Sequence, residues 1–191
     1  MNYLIIGASS GIGYEIEKRL SAQGHDVYTA QRNSIQNEGT YQKYNAIEND
    51  LDVSLLPDQI DGLVYCPGTI NLKPFARLSL QDFYNDWQIN FLGAVKVIQS
   101  VLPNLKAAKG SIVLFSSVAA QTGMSFHASV ASAKAAIEGL TKSLAAELAP
   151  AIRVNCIAPS LTNMIIWPTD KRIMKQRGQK FGDKPKEKLP T

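Results

Sequence analysis

Short apolar runs alternate along the chain with longer segments whose apolar positions recur at helical spacing. The run at residues 2–6 ends at Gly7, and residues 11–24 then carry apolar side chains on one stripe. This pattern predicts a strand, a tight turn and a helix in that order. Further apolar runs predict five more strands, at residues 25–31, 41–47, 62–66, 111–115 and 153–157.

Two long segments have the composition of well-formed helices. Residues 79–109 are expected to begin at Ser79 as the N-cap, and residues 128–148 are rich in alanine and leucine. Between the third and fourth strands there is little room for a long helix, which could cover residues 55–60 at most. Strands that alternate with helices need crossover connections, so we predict an α/β fold in which a doubly wound parallel sheet of six strands forms a single domain.

The composition changes near the C-terminus. Residues 1–169 carry 12 Lys+Arg and 13 Asp+Glu, a net charge of −1, whereas residues 170–191 carry 8 and 3, a net charge of +5. We therefore predict a domain at residues 1–168 and a basic tail at residues 169–191 that is disordered or non-native. Because the positive charge is confined to a short tail, binding of nucleic acid is not favoured.

The remaining composition favours a cytoplasmic protein. The longest apolar runs are far shorter than the roughly 20 residues that cross a membrane, and the N-terminus has no secretory signal pattern. The two cysteines, Cys66 and Cys156, lie in or beside strand-like runs, where a free thiol behaves as a small hydrophobe. We expect neither a membrane association nor a metal site.

A glycine-rich turn between the first strand and the first helix carries the clearest chemistry. Its sequence is Gly-Ala-Ser-Ser-Gly-Ile-Gly at residues 7–13. At this place in a Rossmann-type sheet, the N-terminus of the helix presents unpaired N–H groups to the pyrophosphate of a dinucleotide. The residues expected to line the phosphates are Gly7, Ser9, Ser10, Gly11, Ile12 and Gly13.

The end of the second strand favours NADP(H) over NAD(H). In a dinucleotide fold, an acidic side chain at this place binds the 2′-hydroxyl of the adenosine ribose. Residues 29–33 contain no acid, and Arg32 is placed to pair with a 2′-phosphate through its planar guanidinium.

With these residues and four further motifs, the chain resembles the short-chain dehydrogenase/reductase family over residues 1–163. The further motifs are the Asn-Phe-Leu-Gly at residues 90–93, the Ser-Ser at residues 116–117, Lys134, and the Arg-Val-Asn-Cys-Ile-Ala-Pro at residues 153–159. The resemblance implies hydride transfer between a nicotinamide and a carbonyl or alcohol carbon. It also implies a homodimer or homotetramer that pairs through the helices at residues 79–109 and 128–148.

The same resemblance implies roles for individual residues. Ser117 would hold the substrate oxygen, Lys134 would bind the nicotinamide ribose, and Asn90 would support a water relay. Further contacts to the cofactor are implied for Asn45, Cys66, Pro67, Gly68, Pro159 and Thr162. Several of these positions differ from the usual family pattern, which puts the affinity for the cofactor in doubt rather than its binding.

One departure concerns the proton donor. The family's tyrosine lies four residues before the lysine, and Val130 stands there, 13 residues after Ser117 as the family spacing requires. Valine has no proton to give. His127 is a candidate substitute acid if it shares the helix face of Val130.

Three hypotheses stay open from the sequence: a slow NADP(H)-dependent oxidoreductase, a dinucleotide-binding protein without catalysis, and an inactive fragment. Family members usually continue beyond this length. The short C-terminus is therefore expected to be either a natural short form or foreign sequence.

Overall fold

The strands of the sheet lie close to the predicted runs. A computed structural model describes residues 1–32 and 40–160, and its strands are β1 (Asn2–Ile6), β2 (Asp26–Gln31), β3 (Thr40–Lys43), β4 (Gly62–Tyr65), β5 (Ser111–Phe115) and β6 (Arg153–Ile157). They form one sheet in the order β3-β2-β1-β4-β5-β6, and every neighbouring pair is parallel. The predicted α/β class and six-stranded parallel sheet are confirmed.

The three predicted helices are present, but the second is interrupted and a short helix, Val118–Thr122, was not predicted. They are α1 (Gly11–Ala22), α2 (Leu80–Trp87), α3 (Gly93–Ala108), α4 (Val118–Thr122) and α5 (Ala128–Leu148). Ser79 caps α2 as predicted, in a capping box with Asp82. The uniform helix predicted over residues 79–109 is wrong, because Gln88–Leu92 is a π-helical segment between α2 and α3.

Two other boundaries differ from the prediction. The third strand ends at Lys43 instead of residue 47, because the chain turns after Asn45, whose side chain accepts a hydrogen bond from the N–H of Ile47. Between β3 and β4 the chain forms a 3-10 turn, Val53–Leu55, and no longer helix.

Alternate strand residues point to opposite faces of the sheet, and both faces are apolar. Leu4 and Ile6 of β1 pack into the larger cluster, which includes Val97 and Val101 of α3 and Ile137 of α5. Ile5, between them, belongs to a smaller cluster on the other face, beside Ile16 and Leu20 of α1. Burial on both faces explains why the strands read as continuous apolar runs.

The strand order reverses at β1, because β2 lies on one side of it and β4 on the other. The connections after β1 and β4 therefore leave the sheet in opposite directions and open a crevice at its carboxyl edge. Gly7 follows β1, and residues 66–68 follow β4. Within the described part of the chain, no helix is long and apolar enough to span a membrane.

Candidate functional site

The glycine-rich turn is packed too tightly for side chains at two positions. Gly7 has a φ of 82°, and its N–H donates to the carbonyl oxygen of Ala30 at 2.8 Å. A Cβ on Gly13 would overlap the carbonyl oxygen of Gly7. The turn between β1 and α1 therefore requires glycine at both positions, and it brings the start of α1 directly against the end of the strand.

The first turn of α1 faces the crevice with its N–H groups unoccupied by a side-chain cap. Ser10 precedes the helix, which begins at Gly11, and its hydroxyl makes no capping hydrogen bond. Ser9 and Ser10 are exposed, whereas Ile12 is half-buried. The free N–H groups and the helix dipole make this end of α1 a place where phosphate oxygens bind.

The end of β2 holds a buried amide that the sequence analysis did not single out. Gln31 is buried, and neither its side-chain nitrogen nor its oxygen has a hydrogen-bond partner among the described residues. Arg32, the next residue, is exposed. A buried amide without a hydrogen-bond partner costs stability. Its place beside Arg32 at the end of a strand was the available signal.

For two of the expected cofactor residues, Asn45 and Thr162, the described contacts give no position in the crevice. The side-chain oxygen of Asn45 accepts a hydrogen bond from the N–H of Ile47 at 3.1 Å, and its own N–H donates to Asn49 at 2.7 Å. Its contact with a cofactor therefore stays a prediction. Thr162 lies outside the described residues.

The turn after β4 forms the opposite wall of the crevice. A Cβ on Gly7 would lie 3.1 Å from the ring of Pro67, so the two turns approach each other closely. The N–H of Cys66 donates to the carbonyl oxygen of Ile6 at 2.9 Å and joins this wall to β1. Burial raises the pKa of the Cys66 thiol to about 12, which keeps the thiol protonated near neutral pH.

Lys134 reaches the carboxyl end of β5 from α5. Its ammonium donates to the carbonyl oxygen of Phe115 at 2.8 Å. Burial lowers the pKa of Lys134 to about 8, while the charges of Cys156, Cys66 and Asp86 act in the opposite direction. The ammonium form is therefore present at neutral pH and is lost as the pH rises through about 8.

Asn90 and Lys134 meet at Gly68. A Cβ on Gly68 would lie 3.1 Å from the side-chain oxygen of Asn90 and 3.6 Å from the ammonium nitrogen of Lys134. The absence of a side chain at Gly68 is what lets both polar groups approach the turn after β4. Three residues that are far apart in the sequence are thus brought together beside the glycine-rich turn.

The π-helical segment sets the position of Asn90. The phenol of Tyr65 donates to the carbonyl oxygen of Ile89 at 2.7 Å, and a Cβ on Gly93 would overlap that phenol. Gly93 therefore makes room for Tyr65 inside the helix, where a π turn frees a carbonyl for it. Asn90, next to Ile89, is only 1% exposed.

Ser117 lies at the carboxyl end of β5, as the N-cap of α4. Its hydroxyl oxygen accepts a hydrogen bond from the N–H of Ala119 at 3.2 Å. The N–H of Val118 donates to the carbonyl oxygen of Pro159 at 3.2 Å, so the chain after β6 runs beside this serine. Ser116 points away, to Glu138 of α5 at 2.7 Å.

Val130, at the position of the family's tyrosine, and the candidate acid His127 both lie at the start of α5. Val130 is buried, one turn before Lys134 on that helix. The expectation that His127 shares the helix face of Val130 is wrong, because α5 begins at Ala128 and His127 precedes it with a φ of −102° and a ψ of 11°. The ring of His127 is buried, with Nδ1 at 2.8 Å from the carbonyl oxygen of Ser125.

A carboxylate and a hydroxyl adjoin Asn90, and the sequence analysis did not identify either. The side-chain nitrogen of Asn90 donates to the Thr69 hydroxyl and to the carbonyl oxygen of Asp86, and the Thr69 hydroxyl donates to the Asp86 carboxylate. Asp86 is only 1% exposed. An acidic residue one helical turn before Asn90 was the signal that the sequence offered.

Comparison with known proteins gives a family for this arrangement. Residues 2–171 match a family model described as short chain dehydrogenase. The 3-oxoacyl-[acyl-carrier-protein] reductase of Aquifex aeolicus is 32% identical over 177 residues, covering 82% of this chain and 71% of the relative. Against other relatives the covered share is smaller, down to 33% of the relative's length.

Solved structures show the same fold at lower identity. The 3-ketoacyl-(acyl-carrier-protein) reductase of Brucella melitensis, complexed with NADH, has a TM-score of 0.78 at 22% identity and covers 86% of this chain and 77% of its own. A short chain dehydrogenase of Shigella flexneri, complexed with NADP, has a TM-score of 0.80 at 24% identity, with 88% and 82% covered.

Proposed function

This chain belongs to the short-chain dehydrogenase/reductase family, and from that premise we propose that it binds NADP(H) and transfers a hydride between the nicotinamide and a carbonyl or alcohol carbon. The observation that carries the proposal is the meeting of Asn90 and Lys134 at Gly68, beside the glycine-rich turn. An anion site at the start of α1 and a polar cluster next to it suit the two ends of a dinucleotide.

The preference for NADP(H) over NAD(H) is supported by the end of β2. Arg32 is exposed there and offers a planar set of donors to a 2′-phosphate. The solved neighbours described above include one complex with NADP and one with NADH, so the preference proposed for this chain rests on Arg32.

The chain's own residues would then divide the work. The bound nicotinamide supplies or accepts the hydride. Ser117, at the end of β5, holds the substrate oxygen, and the ammonium of Lys134 donates to the nicotinamide ribose. Without a phenol at Val130 the site has no general acid there, and such an acid contributes about 10²- to 10⁴-fold to the rate. Positioning alone still accelerates hydride transfer, so we expect slow catalysis.

The second candidate function is dinucleotide binding without catalysis, as a sensor or a partner subunit. The specific observation that favours it is Val130, since the valine removes the proton donor while the cofactor-binding turn stays intact. A small-molecule carbonyl or alcohol as partner and a cytoplasmic location also belong to the proposal.

We further propose that the protein forms a homodimer or homotetramer through α2, α3 and α5. Large apolar side chains lie exposed on one face of α2 at helical spacing, with Leu80 76% and Tyr84 61% exposed and Trp87 beside them. Monomeric proteins rarely leave such a contiguous patch open to water.

A thermal-shift titration tests the cofactor. We expect NADPH to raise the unfolding midpoint by mass action, and NADH to do so only at higher concentration. Gly13→Ala is expected to remove the response, because a Cβ there meets the carbonyl oxygen of Gly7. Gly139→Ala is the matched control, since a Cβ on that helical glycine has no neighbour within 4 Å. A midpoint unmoved by NADPH, or moved more by NADH, would contradict the proposal.

NADPH oxidation across a panel of aldehydes and ketones tests the reaction itself. We expect slow turnover with at least one compound, reduced further in Ser117→Ala, which binds NADPH normally. If no compound is turned over faster by the wild type than by Ser117→Ala, catalysis is excluded and the binding function remains.

A further inference from the structure

Asp86 is a buried carboxylate for which the proposed reaction has no role so far. It lies on the last turn of α2 and is only 1% exposed. Its Oδ1 accepts a hydrogen bond from the Thr69 hydroxyl at 2.5 Å, and its Oδ2 has no partner among the described residues. A buried carboxylate with an unpaired oxygen costs stability, because buried polar groups in proteins are normally hydrogen-bonded.

Thr69 connects Asp86 to Asn90. The Thr69 hydroxyl accepts a hydrogen bond from the Asn90 side-chain nitrogen at 2.8 Å while it donates to Asp86. The backbone closes the same ring, because Asn90 also donates to the carbonyl oxygen of Asp86 at 2.9 Å and accepts from the N–H of Thr69 at 3.3 Å. The amide of Asn90 is therefore held in one orientation, with its oxygen toward Gly68.

Lys134 approaches the same point at Gly68, and three neighbouring groups raise its pKa against the effect of burial. They are, in decreasing order of effect, the thiols of Cys156 on β6 and Cys66 after β4 and the carboxylate of Asp86 on α2. Glu138 lies one turn further along α5, where it accepts a hydrogen bond from Ser116. The two thiols have raised pKa values because they are buried.

We propose that Asp86 is a positioning residue of the reaction site: through Thr69 it fixes the Asn90 amide, whose oxygen meets the ammonium of Lys134 at Gly68. This assignment rests on the proposed function, in which the ammonium of Lys134 binds the nicotinamide ribose. The network itself is present without a cofactor, so it can be tested separately.

The test is the titration of Lys134 in the cofactor-free protein. The side-chain 13Cε resonance is followed by NMR in lysine-labelled protein and assigned by its absence in Lys134→Met. We expect an inflection near pH 8 in the wild type. In Asp86→Asn the inflection should move to lower pH, by less than the roughly 1 unit that an opposite charge in direct contact contributes, because Asp86 is the smallest of the three charges that raise this pKa. The pH at which NADPH binding weakens should move with it.

Two controls separate this role from a purely structural one. Glu147→Gln removes one exposed carboxylate from the far end of α5 and should leave the inflection in place. Asp86→Glu keeps the charge and should restore the wild-type inflection. If Asp86→Asn does not fold, Asp86→Ser gives a smaller neutral side chain for the same measurement.

An inflection unchanged in the neutral variants overturns the proposal, as does an equal shift in Glu147→Gln. Because the titration is made without a cofactor, it remains decisive even if NADPH does not bind. Failure of the proposed function and failure of this assignment are therefore distinguishable.

Discussion

At the scale of single residues, the proposed chemistry depends most on Val130, the position at which the family resemblance implies a tyrosine as proton donor. The cluster around it is otherwise complete: Lys134 is anchored to Phe115, and Asn90 is held by Thr69. A lysine whose pKa is lowered to about 8 is still charged at neutral pH and available to a ribose hydroxyl. In the proposed function the site binds the reactive end of a cofactor and lacks one acid.

Val130→Tyr is expected to increase NADPH oxidation by about 10²- to 10⁴-fold with any substrate that the wild type accepts. The physical reason is the return of a phenol one helical turn before Lys134. Initial rates with the most active carbonyl compound measure it. Val130→Phe is the matched control, because it adds the ring without the hydroxyl and should not raise the rate. Equal rates in the two variants would show that the phenol is not the missing component.

At the scale of elements, the start of α2 is stabilised by one carboxylate that several groups share. Asp82 accepts hydrogen bonds from Lys73 at 2.8 Å, from Asn71 at 2.7 Å and from the N–H of Ser79 at 2.9 Å. The sequence predicted Ser79 as the N-cap of this helix but not its capping box with Asp82. It did not predict the bonds from Lys73 and Asn71 either, since they depend on how the preceding loop folds back.

These bonds predict acid sensitivity. The hydrogen bond from Lys73, and then those from Ser79 and Asn71, hold the pKa of Asp82 well below its ordinary value of 3.8. The contribution to stability is therefore full above that value and is lost as the pH falls below it. We expect Asp82→Asn to lower the free energy of unfolding at pH 7 and to flatten its decrease in acid.

Urea unfolding at a series of pH values measures this effect. Asp58→Asn, at an exposed position between β3 and β4, is the control and should follow the wild-type profile. A profile for Asp82→Asn that runs parallel to the wild type in acid would refute the assignment.

At the scale of the whole molecule, one face of α2 is unusually apolar for a surface. Leu80, Tyr84 and Trp87 follow one another at intervals of four and three residues, the spacing of one helix face. The same helix carries Asp86 and leads into Asn90 on its buried side. An assembly through this face would therefore support the element that holds the polar cluster.

Replacing Leu80 and Tyr84 together by lysine is expected to convert a dimer or tetramer into a monomer, because two charges would lie in an apolar contact. Size-exclusion chromatography with light scattering measures the mass. Leu55→Lys, at another exposed apolar position, is the matched control and should leave the assembly unchanged. A wild-type protein that is already a monomer at high concentration contradicts the proposed assembly.

The sequence by itself determined the features that depend on local pattern. The alternation of apolar runs with helical stripes predicted six strands in a parallel sheet, because buried strands and amphipathic helices each leave a periodic pattern in the sequence. The glycine spacing at residues 7–13 predicted the tight turn between β1 and α1, because Gly7 and Gly13 leave no room for a side chain there. The absence of a tyrosine at Val130 was equally visible.

Only the tertiary structure decided how distant polar groups combine. The π-helical segment around Asn90 exists because Tyr65 inserts where Gly93 leaves room, and neither residue signals this in its own segment. The burial of Gln31 and Asp86 likewise depends on other elements. Burial and hydrogen bonding of a side chain depend on neighbours from every packed element, whereas local periodicity records only the chain on either side of it.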